Sequence, residues 1–180
     1  MFKKILLWIV SILMLAGATF YFMNASDNYD AKKYLIVAPA VEVGKYIDFV
    51  LPDQEGKSHS LAMDTKSLVL TFSKETSHKV KAFLDAAEGD FLFDNNAFYI
   101  TDISAAPTII RNAFILPGLK KAVYSVLLMY DPAMATKFHD DAHKDAIMVL
   151  KLEKKQIKEI LFLQEPKKLE KLLYIDIDDF

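Results

Sequence analysis

LVLTFSKETSHKVKAFLDAA, residues 68–87, contains the change in hydrophobic spacing that decides the fold. Its first five residues are almost continuously apolar, which is typical of a strand that is buried on both faces. The apolar residues that follow take the i, i+3, i+4, i+7 spacing of one helix face, at Val80, Phe83, Leu84 and Ala87. The stretch therefore predicts a central strand and then a helix over residues 77–87, capped by Thr76 or Ser77.

The alternation of strand and helix continues towards both ends of the chain. Upstream, the turn PDQEG at residues 52–56 predicts a hairpin, because proline fixes φ and glycine permits positive φ. Downstream, the predicted elements are a strand at 98–103, a helix capped by Ser104 and broken by Pro117-Gly118, a strand at 124–130, a hairpin over 146–163 and a helix after Pro166. Strand–helix–strand order implies parallel strands with right-handed crossovers. We therefore expect an α/β fold with a mixed central sheet and helices on both faces.

Residues 43–57, VGKYIDFVLPDQEGK, and the strand at 68–72 give a more specific signal. Together with the order of elements, they resemble the thioredoxin-like superfamily, in its peroxiredoxin and thiol-disulfide oxidoreductase branch. The resemblance covers roughly residues 41–173. It implies two redox cysteines at the start of the helix after this strand, and a cis-proline before a later strand that faces them.

The chain contains no cysteine, so other residues stand where the resemblance implies redox cysteines. Ser77 is expected near the first cysteine position, Val80 near the second, and Ser125 where the proline would stand. A serine hydroxyl stays protonated at a helix N-terminus and forms no disulfide, so exchange or peroxidation through the protein's own thiols is excluded. The rim of the family's peptide-binding groove, a surface for strand addition, is expected at Ser77, His78, Tyr124 and Ser125.

Two histidines form a second candidate site. His139 and His143 are four residues apart, so on a helix they would share a face and could ligate one metal ion, helped by Asp140 or Asp141. The surrounding charged residues favour a polar loop instead, and the sequence supplies no third ligand. No catalytic residue and no cofactor is predicted. Arg111, the only arginine, is expected to be solvated.

The amino-terminal segment predicts a membrane anchor. An apolar run without a charged residue extends from Ile5 to Met23. As a helix with a rise of about 1.5 Å per residue, it is about 28 Å long and matches a hydrocarbon core of about 30 Å. Lys3 and Lys4 precede it, so the positive-inside rule predicts one transmembrane helix with the N-terminus in the cytoplasm. Cleavage as a signal peptide after the small residues 16–18 is the open alternative.

The predicted organisation is an anchor or signal sequence at 1–23, a linker at 24–40, a thioredoxin-like domain at 41–174 and an acidic tail at 175–180. A net charge of −2, with interspersed lysines and acids, gives no nucleic-acid footprint. The sequence thus predicts a non-catalytic protein-binding or assembly module, placed in the periplasm or extracellular space, with an envelope protein as its partner. A metal carrier or metal-dependent enzyme that uses His139 and His143 is the alternative.

Overall fold

The computed structural model describes residues 2–25, 29–38, 41–87, 90–140 and 142–174. The tail at 175–180 and Asp141, both part of the sequence predictions, lie outside these ranges. In chain order the elements are α1 (Phe2–Ala25), β1 (Leu35–Val37), β2 (Asp48–Pro52), β3 (Ser58–Ser60), β4 (Ser67–Thr71), α2 (Lys74–Ala86), α3 (Phe91–Asp94), β5 (Ala97–Asp102), α4 (Thr108–Ile110), a π turn (Arg111–Ile115), α5 (Leu116–Leu119), β6 (Val126–Met129), α6 (Pro132–Ala135), β7 (Ile147–Glu153), β8 (Gln156–Leu163) and α7 (Lys167–Tyr174).

Two sheets form the framework of the domain. The smaller sheet is antiparallel, with strand order β1-β2-β3, and the larger has the order β6-β5-β4-β7-β8. In the larger sheet β4, β5 and β6 are parallel, whereas β7 and β8 run antiparallel to their neighbours. This mixed sheet flanked by helices confirms the predicted α/β class.

The central strand β4 is buried on both faces, as its apolar run predicts. Leu68 and Leu70 belong to a core cluster shared with β2 and α6. Val69 points the other way, into a cluster with Val80 of α2 and Leu169 of α7. All five side chains are at most 1 % exposed, so β4 separates two hydrophobic layers and fixes where α2 must begin.

Part of the predicted linker belongs to the folded domain. β1 pairs antiparallel with β2, in the register Leu35↔Val50. Tyr34 and Ile36 are buried, because alternate residues of this short strand point into the core. The boundary between linker and domain therefore lies before residue 34, rather than at residue 41.

The helix after β5 differs from its prediction at both ends. Its N-cap is Pro107 rather than Ser104, and Pro117-Gly118 does not break it. A proline inside a helix clashes with the carbonyl four residues earlier and lacks an N–H group. The π turn at Arg111–Ile115 widens the helix just before Pro117, so the proline is accommodated and the helix continues to Leu119.

The helix α1 has the properties of the predicted anchor. Its segment Lys3–Tyr21 is long and apolar enough to cross a membrane, and none of that segment is buried by the domain. Large side chains such as Trp8 and Leu15, each 72 % exposed, therefore lie on its surface. The chain thus has one amino-terminal helix that could span a membrane.

Candidate functional site

The helix α2 begins closer to the central strand than predicted. β4 ends at Thr71, and Ser73 is the N-cap residue, with extended backbone angles of −119° and 151°. Its Oγ accepts a hydrogen bond of 3.3 Å from the backbone N–H of Thr76. The prediction of a start at residue 77 was wrong because the first turn, Lys74-Glu75-Thr76, contains no apolar residue and so does not enter the hydrophobic period.

Two hydroxyl groups stand in contact at the start of α2. Ser73 and Thr76, three residues apart, bring their Oγ and Oγ1 atoms to 2.9 Å. Thr76 Oγ1 also donates to the carbonyl oxygen of Asp145, at 2.9 Å. Ser77 and Val80, the residues expected near the cysteine positions, lie further along α2 than Ser73 and Thr76, and Val80 is fully buried.

Ser77 belongs to an interior hydroxyl cluster, which consists of Thr71, Ser77, Tyr99 and Thr101. Ser77 Oγ donates to the carbonyl of Ser73 at 2.8 Å and lies 2.9 Å from both threonine hydroxyls. Thr71 Oγ1 also lies 3.1 Å from Tyr99 Oη, and burial raises the pKa of Tyr99. His78 is exposed on the outside of α2. The Ser77 hydroxyl is therefore hydrogen-bonded within the interior hydroxyl cluster and does not pair with His78.

Tyr124 and Ser125 lie away from the start of α2. Tyr124 Oη donates to Asp85 Oδ1 at 3.0 Å, in a later turn of α2, and burial and this carboxylate raise the pKa of Tyr124. Ser125 precedes β6, whose first residue, Val126, pairs with Tyr99. Because β4 and β6 are parallel, Ser125 lies about three strand residues, roughly 10 Å, back from the end where α2 begins.

The four residues of the predicted groove rim therefore do not surround one opening. Ser77 lies at the carboxyl end of β4, whereas Ser125 lies at the amino end of β6. The prediction placed the proline position before the wrong strand. β7 runs antiparallel to β4, so the residues that reach the start of α2 are those that precede β7.

Two cavities meet beside Ser73, between α2 and the loop before β7. The smaller, of about 260 Å³, is lined by Phe72, Ser73, His139, Asp140, Lys144 and Asp145. The larger, of about 480 Å³, is lined by Val41, Lys137, Phe138, His139, Asp140, Met148, Ile160 and Phe162. His139 and Asp140 line both, so the two cavities adjoin, and we call them together the double cavity. The sequence signal for it is the hairpin that begins near residue 146, because its first strand must return antiparallel to β4.

The two histidines lie in a loop, as the surrounding charged residues predict, and not on a helix. His139 Nε2 is 3.4 Å from Asp102 Oδ2 and His143 Nδ1 is 2.9 Å from Asp140 Oδ2. The His143 ring stacks on Phe162 with centroids 4.0 Å apart, and its hydrogen bond lowers the pKa of Asp140. Each imidazole thus has its own carboxylate. Within the described ranges, no three metal-binding side chains are grouped around an ion-sized space.

Comparison with known proteins finds likeness in structure only. No family model and no curated protein matches the chain. The thioredoxin domain of a thiol-disulfide oxidoreductase from Bacteroides vulgatus is 15% identical, with a TM-score of 0.45 over 74% of this chain and 99% of that one. StoA from Bacillus subtilis is 15% identical, with a TM-score of 0.48 over 69% and 94%. The exposed lipoprotein thioredoxin of Streptococcus pneumoniae is 14% identical, with a TM-score of 0.42 over 70% and 97%.

These similarities concern the fold and not the activity. The matched proteins are thioredoxin-like and include thiol-disulfide oxidoreductases, whereas this chain has no cysteine. With such identities and TM-scores, neither the site nor its chemistry follows from them. What this chain has in common with them is a mixed sheet with helices, and it contains no cysteine.

Proposed function

We propose that this protein is a membrane-anchored thioredoxin-like domain that binds a protein partner without catalysis, as an assembly or accessory module. The double cavity carries the proposal, because it opens directly beside Ser73, at the helix start where the resemblance implies a thiol. In this proposal α1 crosses the membrane with Lys3 and Lys4 in the cytoplasm. The domain then lies in the periplasm or the extracellular space.

The polar groups at the helix start support a non-catalytic role. The Ser73 hydroxyl is engaged by the side chain and the N–H group of Thr76. His139 is hydrogen-bonded to Asp102 and not to Ser73, so among the described residues the serine has no general base in contact. An activated nucleophile needs such a base within hydrogen-bond reach. The metal-binding alternative, which needs His139 and His143 to share an ion, has no specific observation in its favour.

The walls of the double cavity suggest the chemistry of the partner. Its larger part combines apolar side chains from β7 and β8, Met148, Ile160 and Phe162, with the polar side chains of Lys137, His139 and Asp140. Such a cavity suits an apolar side chain whose flanking backbone stays near the surface.

The edge of the larger sheet adds a second binding element. β8 is an edge strand, and residues 44–47 pair only with its beginning, at Gln156 and Ile157. Beyond Ile157, no strand in the described part of the chain pairs with its outer side. We infer that the partner is an extended segment, which adds to β8 and places one apolar side chain in the double cavity.

Site-directed photo-crosslinking in native membranes tests the proposal. A photoreactive amino acid replaces His139, whose side chain is 47% exposed, in the full-length protein. The matched control replaces Lys79, which is 53% exposed on the outside of α2. We expect one discrete crosslinked protein from position 139 and none from position 79.

The partner identified by mass spectrometry is then purified and titrated. Phe162→Asp places a charge in the apolar wall and should weaken binding at least tenfold, whereas Lys79→Ala should leave it unchanged. If crosslinking from positions 139 and 79 is equal, or if Phe162→Asp does not weaken binding, the double cavity is refuted as the binding site.

A further inference from the structure

The segment after α1 is fastened to the domain by an aromatic stack. The ring of Tyr29 lies between those of Tyr34 and Tyr130, with centroid distances of 5.6 Å and 4.8 Å. Tyr29 Oη also lies 3.8 Å from the sulfur of Met134. Three residues lie between Ala25, the last residue of α1, and Tyr29, so the Cα atoms of these two residues are at most about 14 Å apart. The domain therefore stays close to the end of α1.

The same stack continues to the helix Thr108–Leu119. The Arg111 guanidinium lies 5.4 Å from the centroid of the Tyr130 ring, and its Nη1 donates to the carbonyl of Ala106 at 3.0 Å. Arg111 is thus half-buried, and its predicted solvation is corrected. The backbone of α1 also comes close to α4 and the π turn, although its segment Lys3–Tyr21 is not buried by them. The face of the domain nearest to the anchor is therefore the one that carries this helix.

This face has the composition of a lipid-binding surface. Ile110, Phe114 and Val123 are 40%, 70% and 94% exposed, and we call them the apolar patch. Residues 103–130 contain no aspartate or glutamate, although the chain has 24 acidic residues. The charged side chains of this segment are all basic, at Arg111, Lys120 and Lys121. Lys120 has a surface ion pair with Glu55, which is weak enough to yield to another anion.

We propose that the apolar patch lies in the interface of the membrane that α1 crosses, with Lys120 and Lys121 directed at anionic lipid headgroups. Apolar residues beside lysines are the pattern of helices that lie in the plane of a bilayer. The short connection to α1 and the absence of acidic residues favour lipid over a second protein as the occupant. The proposal rests on α1 as a membrane anchor, which is part of the proposed function.

Lipid quenching of a single label tests the docking. Because the chain has no cysteine, Phe114→Cys gives a unique labelling site for an environment-sensitive dye, whose aromatic ring takes the place of the Phe114 ring. The full-length protein is reconstituted in vesicles of phosphatidylcholine and phosphatidylglycerol that contain nitroxide-labelled lipid. Leu13→Cys, inside α1, reports the anchor, and Lys79→Cys, outside α2, reports a distant surface. We expect quenching at positions 114 and 13 and none at position 79.

Each outcome decides between docking and anchoring. Quenching at position 13 without quenching at 114 overturns the docking and leaves the anchor intact. No quenching at either position overturns both. Quenching at 114 that disappears when the protein is diluted in lipid overturns the proposal in favour of a second copy over the patch.

The charges provide an independent measurement. In the Phe114→Cys protein, Lys120→Glu and Lys121→Glu should each lower the docked-to-undocked ratio about fivefold in vesicles with phosphatidylglycerol. In vesicles of phosphatidylcholine alone the effect should be much smaller. An equal effect in both vesicle types overturns the role of the lysines. Thermal melting of each variant in detergent, followed by circular dichroism, shows whether a lower ratio comes from unfolding instead.

Discussion

The helices that follow the neighbouring parallel strands β4 and β5 differ in what they leave exposed. α2 has a side-chain cap at Ser73, buries Val80 and Leu84, and presents an ion pair between Lys79 and Glu75 on its outer face. The helix Thr108–Leu119 has no side-chain cap, contains a π turn, and leaves Phe114 70% exposed. α2 therefore buries its apolar side chains in the domain and exposes charged ones, whereas the helix Thr108–Leu119 exposes a large apolar side chain on its outer face.

The largest effect is expected under α2, where Thr71→Val removes one hydroxyl from the interior hydroxyl cluster. Thr71 is fully buried, and its Oγ1 contacts the hydroxyls of Ser77, Tyr99 and Thr101. Buried polar groups that lose a partner cost about 1–3 kcal/mol each. We expect the free energy of unfolding, measured with urea in detergent, to fall by about 3 kcal/mol.

The matched control is Thr136→Val. Thr136 is an exposed threonine whose hydroxyl bonds the carbonyl of Pro132 at 2.7 Å. Its replacement should change the free energy of unfolding by less than about 0.5 kcal/mol. Equal effects of the two variants would mean that the interior hydroxyl cluster contributes nothing beyond an ordinary surface bond.

The next largest effect on the free energy of unfolding is expected where the turn after β2 contacts β6, the strand after the helix Thr108–Leu119. Asp53 bridges to Leu127 of β6, and its neighbour Gln54 bonds both Tyr124 and Val126. Burial alone would raise the pKa of Asp53, but hydrogen bonds from the His59 side chain and two backbone N–H groups more than offset this, so the pKa is lowered.

A lowered carboxyl pKa sets the direction of the pH dependence. Asp53 stabilises the folded state fully above the pKa of an unfolded aspartate, about 3.9, and this stabilisation is lost as pH falls through the lower folded pKa. The free energy of unfolding should therefore decrease below about pH 4. Asp53→Asn should lower stability at neutral pH by about 1–2 kcal/mol and flatten this acid dependence. The exposed Asp64→Asn serves as control, and an unchanged acid slope in Asp53→Asn would contradict the prediction.

A smaller effect is expected for Ser73→Ala at the start of α2. Loss of a serine N-cap costs about 1 kcal/mol, because one of the first N–H groups of the helix loses its acceptor. Lys74→Ala, which removes no cap, is the control. Hydrogen exchange at the N–H group of Thr76 should rise in Ser73→Ala alone. Unchanged exchange would show that another group caps α2.

The sequence predicts elements of both sheets well because these signals are local. The apolar run at 68–72 and the turn at 52–56 depend on neighbouring residues only, and both elements lie where expected. The start of α2 was missed because its first turn is polar. The continuation of the helix through Pro117 was missed because a π turn cannot be recognised from the spacing of apolar residues.

The candidate site was predicted less well because it depends on which strands are neighbours. Placing Ser125 beside the start of α2 requires the strand after it to lie next to β4. That neighbour is β7 instead, which brings His139 and Asp145 to the site. The order of strands is set by packing across the whole domain, and no local pattern near residue 125 reports it.

The smallest effect on stability, and the sharpest contrast with α2, is expected for Phe114→Ser. The side chain is 70% exposed, so its removal should change the free energy of unfolding in detergent by no more than about 0.5 kcal/mol. Phe91→Ser is the matched comparison, because Phe91 is 6% exposed in the core and its loss should cost at least about 3 kcal/mol. Equal destabilisation by the two variants would mean that Phe114 belongs to the core. A stable Phe114→Ser protein that has lost its contact with lipid would show that this side chain serves the membrane and not the fold.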